Sequence, residues 1–393
     1  MISRRNFLKL AGAGTAGLCL NPPSEPASGN SSYGQAAAAP EPKIKTYRPL
    51  GKTGLEVSDI GCGAINLFNA NVLRYAFDCG VNHFDTAEGY LNTNSEKMVG
   101  QALKDVRGRA IIASKYLLRT PADMNQAALI GRAEASLKRL QTDYLDIAMI
   151  HSVDEPGKLD NEEVIGALTR LKKDGKARFL GFSTHRPADL LKKAMTSDFW
   201  EVVLLIYNHM EGPAIETLVA EARKKGIGII AMKVFAGGLQ GSLKPLVSEK
   251  QRYSQAAIRW TLGNPHIDAC IVTMSTYSHV EEYVAVSGSP LERQDSAILT
   301  RYQREAGPHY CRVSCRECLA SCPHGVAVNE VLRYAMYFEN YGMEKSALEL
   351  YQRMDPALKP QACRSCRGTC QAACPFGLPV REKLLRSLEM LEV

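Results

Sequence analysis

Eight of the 12 cysteines fall within the last 83 residues, in two runs of four. The first is Cys311, Cys315, Cys318 and Cys322, followed by Pro323. The second is Cys363, Cys366, Cys370 and Cys374, followed by Pro375. Thiolates two or three residues apart and closed by Cys-Pro can wrap a 4Fe–4S cubane. The commonest run reads C-x2-C-x2-C-x3-C-P. Each run here carries one residue more, at Arg312-Val313-Ser314 and at Arg367-Gly368-Thr369. Two clusters are expected, with one as the alternative count. Paired runs of this kind lend their fourth thiolate to the other cluster, which would send Cys322 and Cys374 across. Zinc and disulfides are the other readings. Zinc usually takes two Cys pairs rather than runs of four. Disulfides require an oxidising compartment, which export would supply.

A second set of chemistry-bearing residues stands at the ends of apolar runs. Asp85 and Tyr90 follow one in Phe84-Asp85-Thr86-Ala87-Glu88-Gly89-Tyr90. Lys115 ends another in Ala113-Ser114-Lys115, and His151 a third in Met149-Ile150-His151. Alone, such an Asp is more often a cap or ion-pair partner, and such a His a satisfied core residue. Four in this order on three successive runs are hard to read as chance.

The elements that must hold them are legible from periodicity. Eight strand-like runs occur: Val57–Ile65, His83–Thr86, Ala110–Tyr116, Tyr144–Ser152, Arg178–Thr184, Val202–Tyr207, Ile227–Phe235 and Ala269–Met274. Between them lie helical patterns such as Leu129, Ala133, Ser136, Leu137 and Leu140. Eight βα units in about 240 residues suit an α/β fold of the (β/α)8 TIM-barrel kind, whose chemistry sits at the C-terminal strand ends. The alternative is an open doubly wound sheet, but no G-x-G-x-x-G follows the first strand. Lys45–Val57, with Gly51-Lys52-Thr53-Gly54 at its centre, reads as a hairpin closing the barrel floor.

Over residues 45–290 the sequence resembles the aldo-keto reductase superfamily. The matching pieces are Phe84-Asp85-Thr86-Ala87 with Tyr90, Ser95-Glu96-Lys97-Met98-Val99-Gly100, Ser114-Lys115, Asp143-Tyr144-Leu145-Asp146 and His151. The cysteine-rich end resembles the α-helical ferredoxin modules of an iron–sulfur branch of that superfamily, as does Phe182-Ser183-Thr184-His185-Arg186-Pro187. The resemblance implies a twin-arginine signal and linker over 1–42, the barrel over 43–300 and a small α-helical ferredoxin-like 4Fe–4S domain over 301–393. It also implies a catalytic tetrad. Tyr90 would give a proton to a carbonyl oxygen, Lys115 would favour the phenolate, Asp85 would compensate Lys115, and His151 would orient the carbonyl.

A nicotinamide dinucleotide, NAD(P)H, is implied in the same way. Tyr207 would stack on the nicotinamide with Asn208 beside it, and Ser183 and His185 would meet its carboxamide. The seventh strand end, from Lys233 to Gly238, would approach the pyrophosphate. Ser275 and Thr276 lie at the eighth strand end, where NADPH users place basic residues. The run Met274–His279 contains no Lys or Arg, which argues against NADPH preference because a 2′-phosphate needs charge-assisted donors. A Lys or Arg from elsewhere, for example Lys244, could reach in.

The N-terminus bounds location. Ser3-Arg4-Arg5-Asn6-Phe7-Leu8-Lys9 precedes a mild apolar run too short and too rich in Gly and Ala to cross a bilayer. It resembles a twin-arginine signal, with cleavage expected near Ala36–Ala39. Asn21–Pro42 reads as a disordered linker. The formal charge is +7; signal removal and two clusters of about −2 each would bring it to about +1. A nucleic-acid surface is not indicated.

The expectation is an exported, periplasmic or extracytoplasmic oxidoreductase. It would interconvert a carbonyl and an alcohol, sugars among them, with clusters that pass electrons to a redox partner protein. The alternatives are the same enzyme with purely structural clusters, the tail acting as a lid, or a non-catalytic electron-transfer protein on a barrel scaffold.

Overall fold

The computed structural model describes residues 42–210, 213–239, 241–247, 250–341 and 343–392. The signal and linker expected over 1–42 lie, but for Pro42, outside the described residues. Pro42–Val393 forms one compact unit.

The chain enters through a hairpin of β1 (Tyr47–Pro49) and β2 (Glu56–Ser58), paired antiparallel. Eight parallel strands follow: β3 (Ile60–Gly63), β4 (His83–Asp85), β5 (Ile111–Leu117), β6 (Leu145–Val153), β7 (Ala177–Thr184), β8 (Val202–Ile206), β9 (Gly228–Met232) and β10 (Ala269–Thr273). They close in sequence order, β10 pairing back onto β3. The run Val57–Ile65 therefore divides, its start serving the hairpin and its middle the barrel. The outer helices are α1 (Ala70–Asp78), α2 (Asn94–Leu103), α3 (Gln126–Leu140), α4 (Glu162–Lys173), α5 (Pro187–Ala194), α6 (Pro213–Lys224), α7 (Lys250–Gly263) and α8 (Tyr277–Val284).

Strand alternation sorts the side chains. Ile111, Ala113, Ile147, Met149, Val202, Leu204, Ile230 and Ala269 fill the barrel interior, joined from below by Leu50, Leu55 and Val57 of the hairpin. The hairpin thus plugs the floor. Gly51 permits this: its φ is +54°, and a Cβ there would lie 2.4 Å from the Gly226 carbonyl oxygen. Extending the inward parity upward brings Asp85 on β4, Lys115 on β5 and His151 on β6 to the top layer.

The C-terminal part is helical: α9 (Arg293–Ala306), α10 (Val328–Asn340), α11 (Glu344–Gln352), α12 (Thr369–Ala372) and α13 (Val380–Leu391). The boundary expected at residue 300 falls inside α9. That helix belongs to the barrel as much as to the tail, since the buried Tyr302 donates to the Ala236 carbonyl at 2.9 Å. The apolar stripe of α10 is buried at Val328, Val331, Leu332, Ala335 and Met336. Arg316 meets Asp189 of α5 at 2.8 Å, and Arg119 after β5 meets Glu349 of α11 at 3.0 Å.

Candidate active site at the barrel mouth

Lys115 is the hub. Its side chain is fully buried, and its Nζ donates to Asp85 Oδ1 at 2.7 Å, to the Thr86 carbonyl at 2.6 Å and to the Tyr90 hydroxyl at 3.4 Å. His151 packs edge-on against Tyr90, with ring centroids 5.5 Å apart. Tyr90 and His151 are partly exposed, whereas Asp85 and Lys115 are buried. Tyr90 and His151 therefore reach the surface of the barrel mouth, with Asp85 and Lys115 beneath them.

The loop carrying Tyr90 is anchored on both sides. The Thr86 amide donates to the Ala113 carbonyl and the Glu88 amide to the Lys115 carbonyl. Arg132 of α3 pairs with Glu88 and donates to the Leu117 carbonyl. After Tyr90 the backbone is left-handed at Leu91, Asn92 and Thr93, three non-glycine residues in a row. Such conformations persist only where surrounding contacts over-determine them. One such contact is missed by sequence reasoning about chemistry. Glu96 of α2 is fully buried, accepts from Ser114 at 2.5 Å and pairs with Arg139 of α3 at 2.6 Å, locking α2 beside the active strand.

The electrostatics follow from burial. Burial works against the Lys115 ammonium, but Asp85 and Tyr90 outweigh it and hold its pKa above the ordinary value. Burial lifts the Asp85 carboxyl and Lys115 pulls it back only in part. With a 2.7 Å contact and a second acceptor at Thr86, the arrangement is that of an ammonium beside a carboxylate. Burial also raises Tyr90, more than Lys115 lowers it. Lys115 therefore offsets the desolvation of the phenol without bringing it below its ordinary range. His151 is driven well down by burial, Lys115 and Arg119, so its imidazole is neutral near pH 7.

The residues expected to hold a nicotinamide are differently placed. Ser183 Oγ accepts from the Ser152 amide at 2.8 Å. His185 is bonded at both ring nitrogens, by the Ser152 hydroxyl at 3.1 Å and by the Tyr337 hydroxyl of α10 at 3.0 Å. Tyr207 has the opposite strand parity from Leu204 and Asn208. Its ring stacks on Trp260 of α7 at 5.2 Å, its hydroxyl meets Glu216 and Asn264, and it is 1 % exposed. It offers no face to the mouth, which corrects its expected role as a stacking platform. Asn208 instead donates to the Lys233 carbonyl, holding Lys233 in a left-handed conformation at φ +56°. Thr276 caps α8 by accepting from the His279 amide, and the Ser275 amide faces His279. A separate cavity along α8 is lined by Pro42, Gln255, Ser278, Glu281, Glu282 and Ala285. Ser183, His185 and Asn208 thus bond to other residues of the chain.

The tail thiols gather in two groups. Cys311, Cys315, Cys318 and Cys374 line one cavity with Val328, Phe376 and Leu378. Burial pushes the Cys311 thiol up to about 12, with Cys318, Cys315 and Cys374 adding to the rise. Burial likewise pushes Cys363 up to about 11, with Cys370, Cys322 and Cys366 around it. Cys374 thus stands with the first three cysteines and Cys322 with the second run. The described cysteines are all free thiols. Among the described residues no group of three or more His, Cys, Asp or Glu could hold a metal ion. Zinc would need four donors within about 2.3 Å of one centre. Backbone amides of Val326 and Gly368 point at the Cys322 and Cys366 sulfurs, each at 3.4 Å.

Residues 66–245 match the aldo/keto reductase family, and residues 1–20 match the twin-arginine translocation pathway signal sequence. L-galactose dehydrogenase of Arabidopsis thaliana is 31% identical over 61% of this chain and 86% of its own length. A probable voltage-gated potassium channel subunit beta from the same plant is 25% identical over 62% of this chain and 92% of its own. An aldo-keto reductase from Bacillus halodurans, solved in its holo form, shares the fold at TM-score 0.55 and 24% identity, over 65% of this chain and 96% of that one. One from Klebsiella pneumoniae, solved with NADPH, does so at TM-score 0.55 and 24%, over 66% and 95%. With the Tyr90–Lys115–Asp85–His151 constellation at the strand ends of a closed parallel barrel, the chain belongs to the aldo/keto reductase family.

Proposed function

We propose that this oxidoreductase interconverts a small carbonyl compound and its alcohol outside the cytoplasm, with Tyr90 as proton donor and acceptor. The hydrogen-bonded line Asp85–Lys115–Tyr90, opening at the barrel mouth beside His151, is the observation that carries the reading. A carbonyl oxygen placed between Tyr90 and His151 would meet a phenol and a neutral imidazole. As negative charge grows on that oxygen, His151 donates a hydrogen bond and Tyr90 a proton. The phenolate left behind would lie beside the Lys115 ammonium. Asp85 keeps that ammonium tolerable beneath the mouth. In the reverse direction the phenolate takes the proton of an alcohol. A sugar is a fitting substrate class, since the relative named L-galactose dehydrogenase is among those matched.

Hydride exchange with carbon is the chemistry a nicotinamide dinucleotide supplies when bound. Among its expected contacts, His185 is taken up within this chain by Tyr337. In the tail, Cys311, Cys315, Cys318 and Cys374 would hold one 4Fe–4S cluster, and Cys322, Cys363, Cys366 and Cys370 the other. Four thiols about a cavity, free of disulfides, suit a cubane better than a single ion. The clusters would supply one-electron transfer to a redox partner. A second reading, in which they only brace the tail as a lid, draws support from the seating of Tyr337 on His185.

Tyr90→Phe tests the assignment. Turnover of the best substrate in a sugar and aldehyde panel should fall on the order of 10²-fold or more, the usual worth of a positioned general acid. Substrate affinity and iron content should be retained. Equal turnover by the variant would move the proton donor elsewhere.

A further inference from the structure

Beside Tyr337, the α10 residue that bonds His185, stand two cations without a carboxylate partner among the described residues. Lys233, at the end of β9, holds its ammonium 4.7 Å from the centre of the Tyr337 ring and 4.6 Å from that of Tyr341. Arg333 lies one turn before Tyr337 on α10 and is 6% exposed. Its Nη2 donates to the Tyr334 hydroxyl at 3.3 Å, and its buried Nε meets no partner. Among the described residues neither cation has a carboxylate within ion-pair distance. Glu330, one turn earlier on α10, acts on Arg333 only from afar. Contacts link these groups to the tetrad: Lys233 lies over the Tyr337 ring, Tyr337 bonds His185, His185 bonds Ser152, and His151 beside Ser152 packs on Tyr90.

A buried guanidinium nitrogen without a partner and a half-buried ammonium without a carboxylate are costly, and cation–π contacts of this kind offset only part of the cost. Burial accordingly depresses the Lys233 ammonium, and Arg333 adds to that. A guanidinium with a free edge beside an ammonium suits a planar oxyanion.

We propose that Lys233 and Arg333 form a subsite for a carboxylate on the substrate, so that the compound turned over at Tyr90 is an oxo or hydroxy acid, sugar acids included. The proposal rests on the reading of Tyr90 as the reacting end. The subsite joins the barrel to the tail, so substrate selection depends on α10. A phosphate of a dinucleotide shares the chemistry. The carboxylate is favoured because Tyr337 and Ser152 already occupy the contacts the nicotinamide end would need.

The test is calorimetric titration of the holoprotein, purified without oxygen, with lactate, gluconate and galacturonate. Each is compared with an uncharged counterpart: lactamide, sorbitol and galactose. At least one acid should bind tenfold or more tightly than its counterpart. Arg333→Met and Lys233→Met should each erase that preference, Arg333→Lys should restore part of it, and binding of the neutral compounds should not change. Visible absorption and iron content matching wild type verify that the variants are folded. Tyr90→Phe should lower turnover on the order of 10²-fold or more while leaving acid binding intact; if turnover is unchanged, the proton donor is misassigned but the subsite stands. The proposal is overturned if no acid outbinds its counterpart, or if the preference survives both substitutions. It is also overturned if the substitutions weaken NADH or NADPH tenfold while leaving the acids unaffected, since the anion would then be the dinucleotide's phosphate.

Discussion

Replacing Lys115 by Met separates the charge it carries from the space it fills. The pair is sealed: Lys115 is fully buried, Asp85 is 4% exposed, and 2.7 Å separates Nζ from Oδ1. Among the described residues the Asp85 carboxylate has no hydrogen-bond donor except Lys115. Removing one partner of a buried pair leaves an uncompensated charge and costs about 3–5 kcal/mol. Lys115→Met should therefore lose about that much in urea denaturation at pH 7. Asp85→Asn should lose a similar amount, through the stranded ammonium. The double variant carries no charge at this point, so its loss should fall short of the sum by about 2 kcal/mol or more, within the usual coupling of contacting residues. The single variant adds a pH signature. Without Lys115, burial raises the Asp85 pKa in the folded state above its unfolded value, and the stability of a raised group is lost as pH rises through the folded pKa. Lys115→Met should accordingly be less destabilised at pH 5 than at pH 8. Additive single effects, or a loss independent of pH, would refute the buried-pair argument and with it the account of how Tyr90 is served.

The anaerobically purified protein should contain eight irons and eight acid-labile sulfides; four of each would mean one cluster, and zinc in their place would remove the electron-transfer reading. Replacing Arg4 and Arg5 together by Lys should leave the precursor in the cytosol, and unimpaired export would point to an ordinary secretory route. Burial holds His83 at a pKa of about 4, with both ring nitrogens unpartnered. Unfolded His titrates near 6.5, so below that pH the unfolded chain takes a proton the folded one refuses. The stability present above pH 6.5 should decline toward pH 4, by about 2 kcal/mol at pH 5 for this one group. His83→Met should flatten that slope, and an unchanged pH profile of the melting temperature would show that His83 is not the group responsible.

Much of this was written locally. Eight apolar runs separated by helical stripes predict the barrel because strand and helix periods are properties of neighbouring residues. The hairpin at Gly51-Lys52-Thr53-Gly54 is legible for the same reason, as are Asp85, Lys115 and His151 at run ends. Their convergence follows once the sheet closes in sequence order, because inward parity then stacks them in one layer. Tyr207 shows where such reasoning stops. It stands at a strand end like the others, but parity turns it toward Trp260, and a single residue of register decides that.

Three further features are tertiary outright. Cys374 shares a cavity with Cys311, and Cys322 sits by Cys363, because α10, α11 and α13 fold the tail back on itself. Tyr337 reaches His185 across 152 residues of chain, on a helix whose pattern announces only core packing. Arg333 looks like an ordinary solvated charge on that helix until α10 is laid over the barrel mouth. Spacing along the chain records which residues share a face. Which faces meet depends on burial that pays only after the barrel has closed, and no local pattern carries that information.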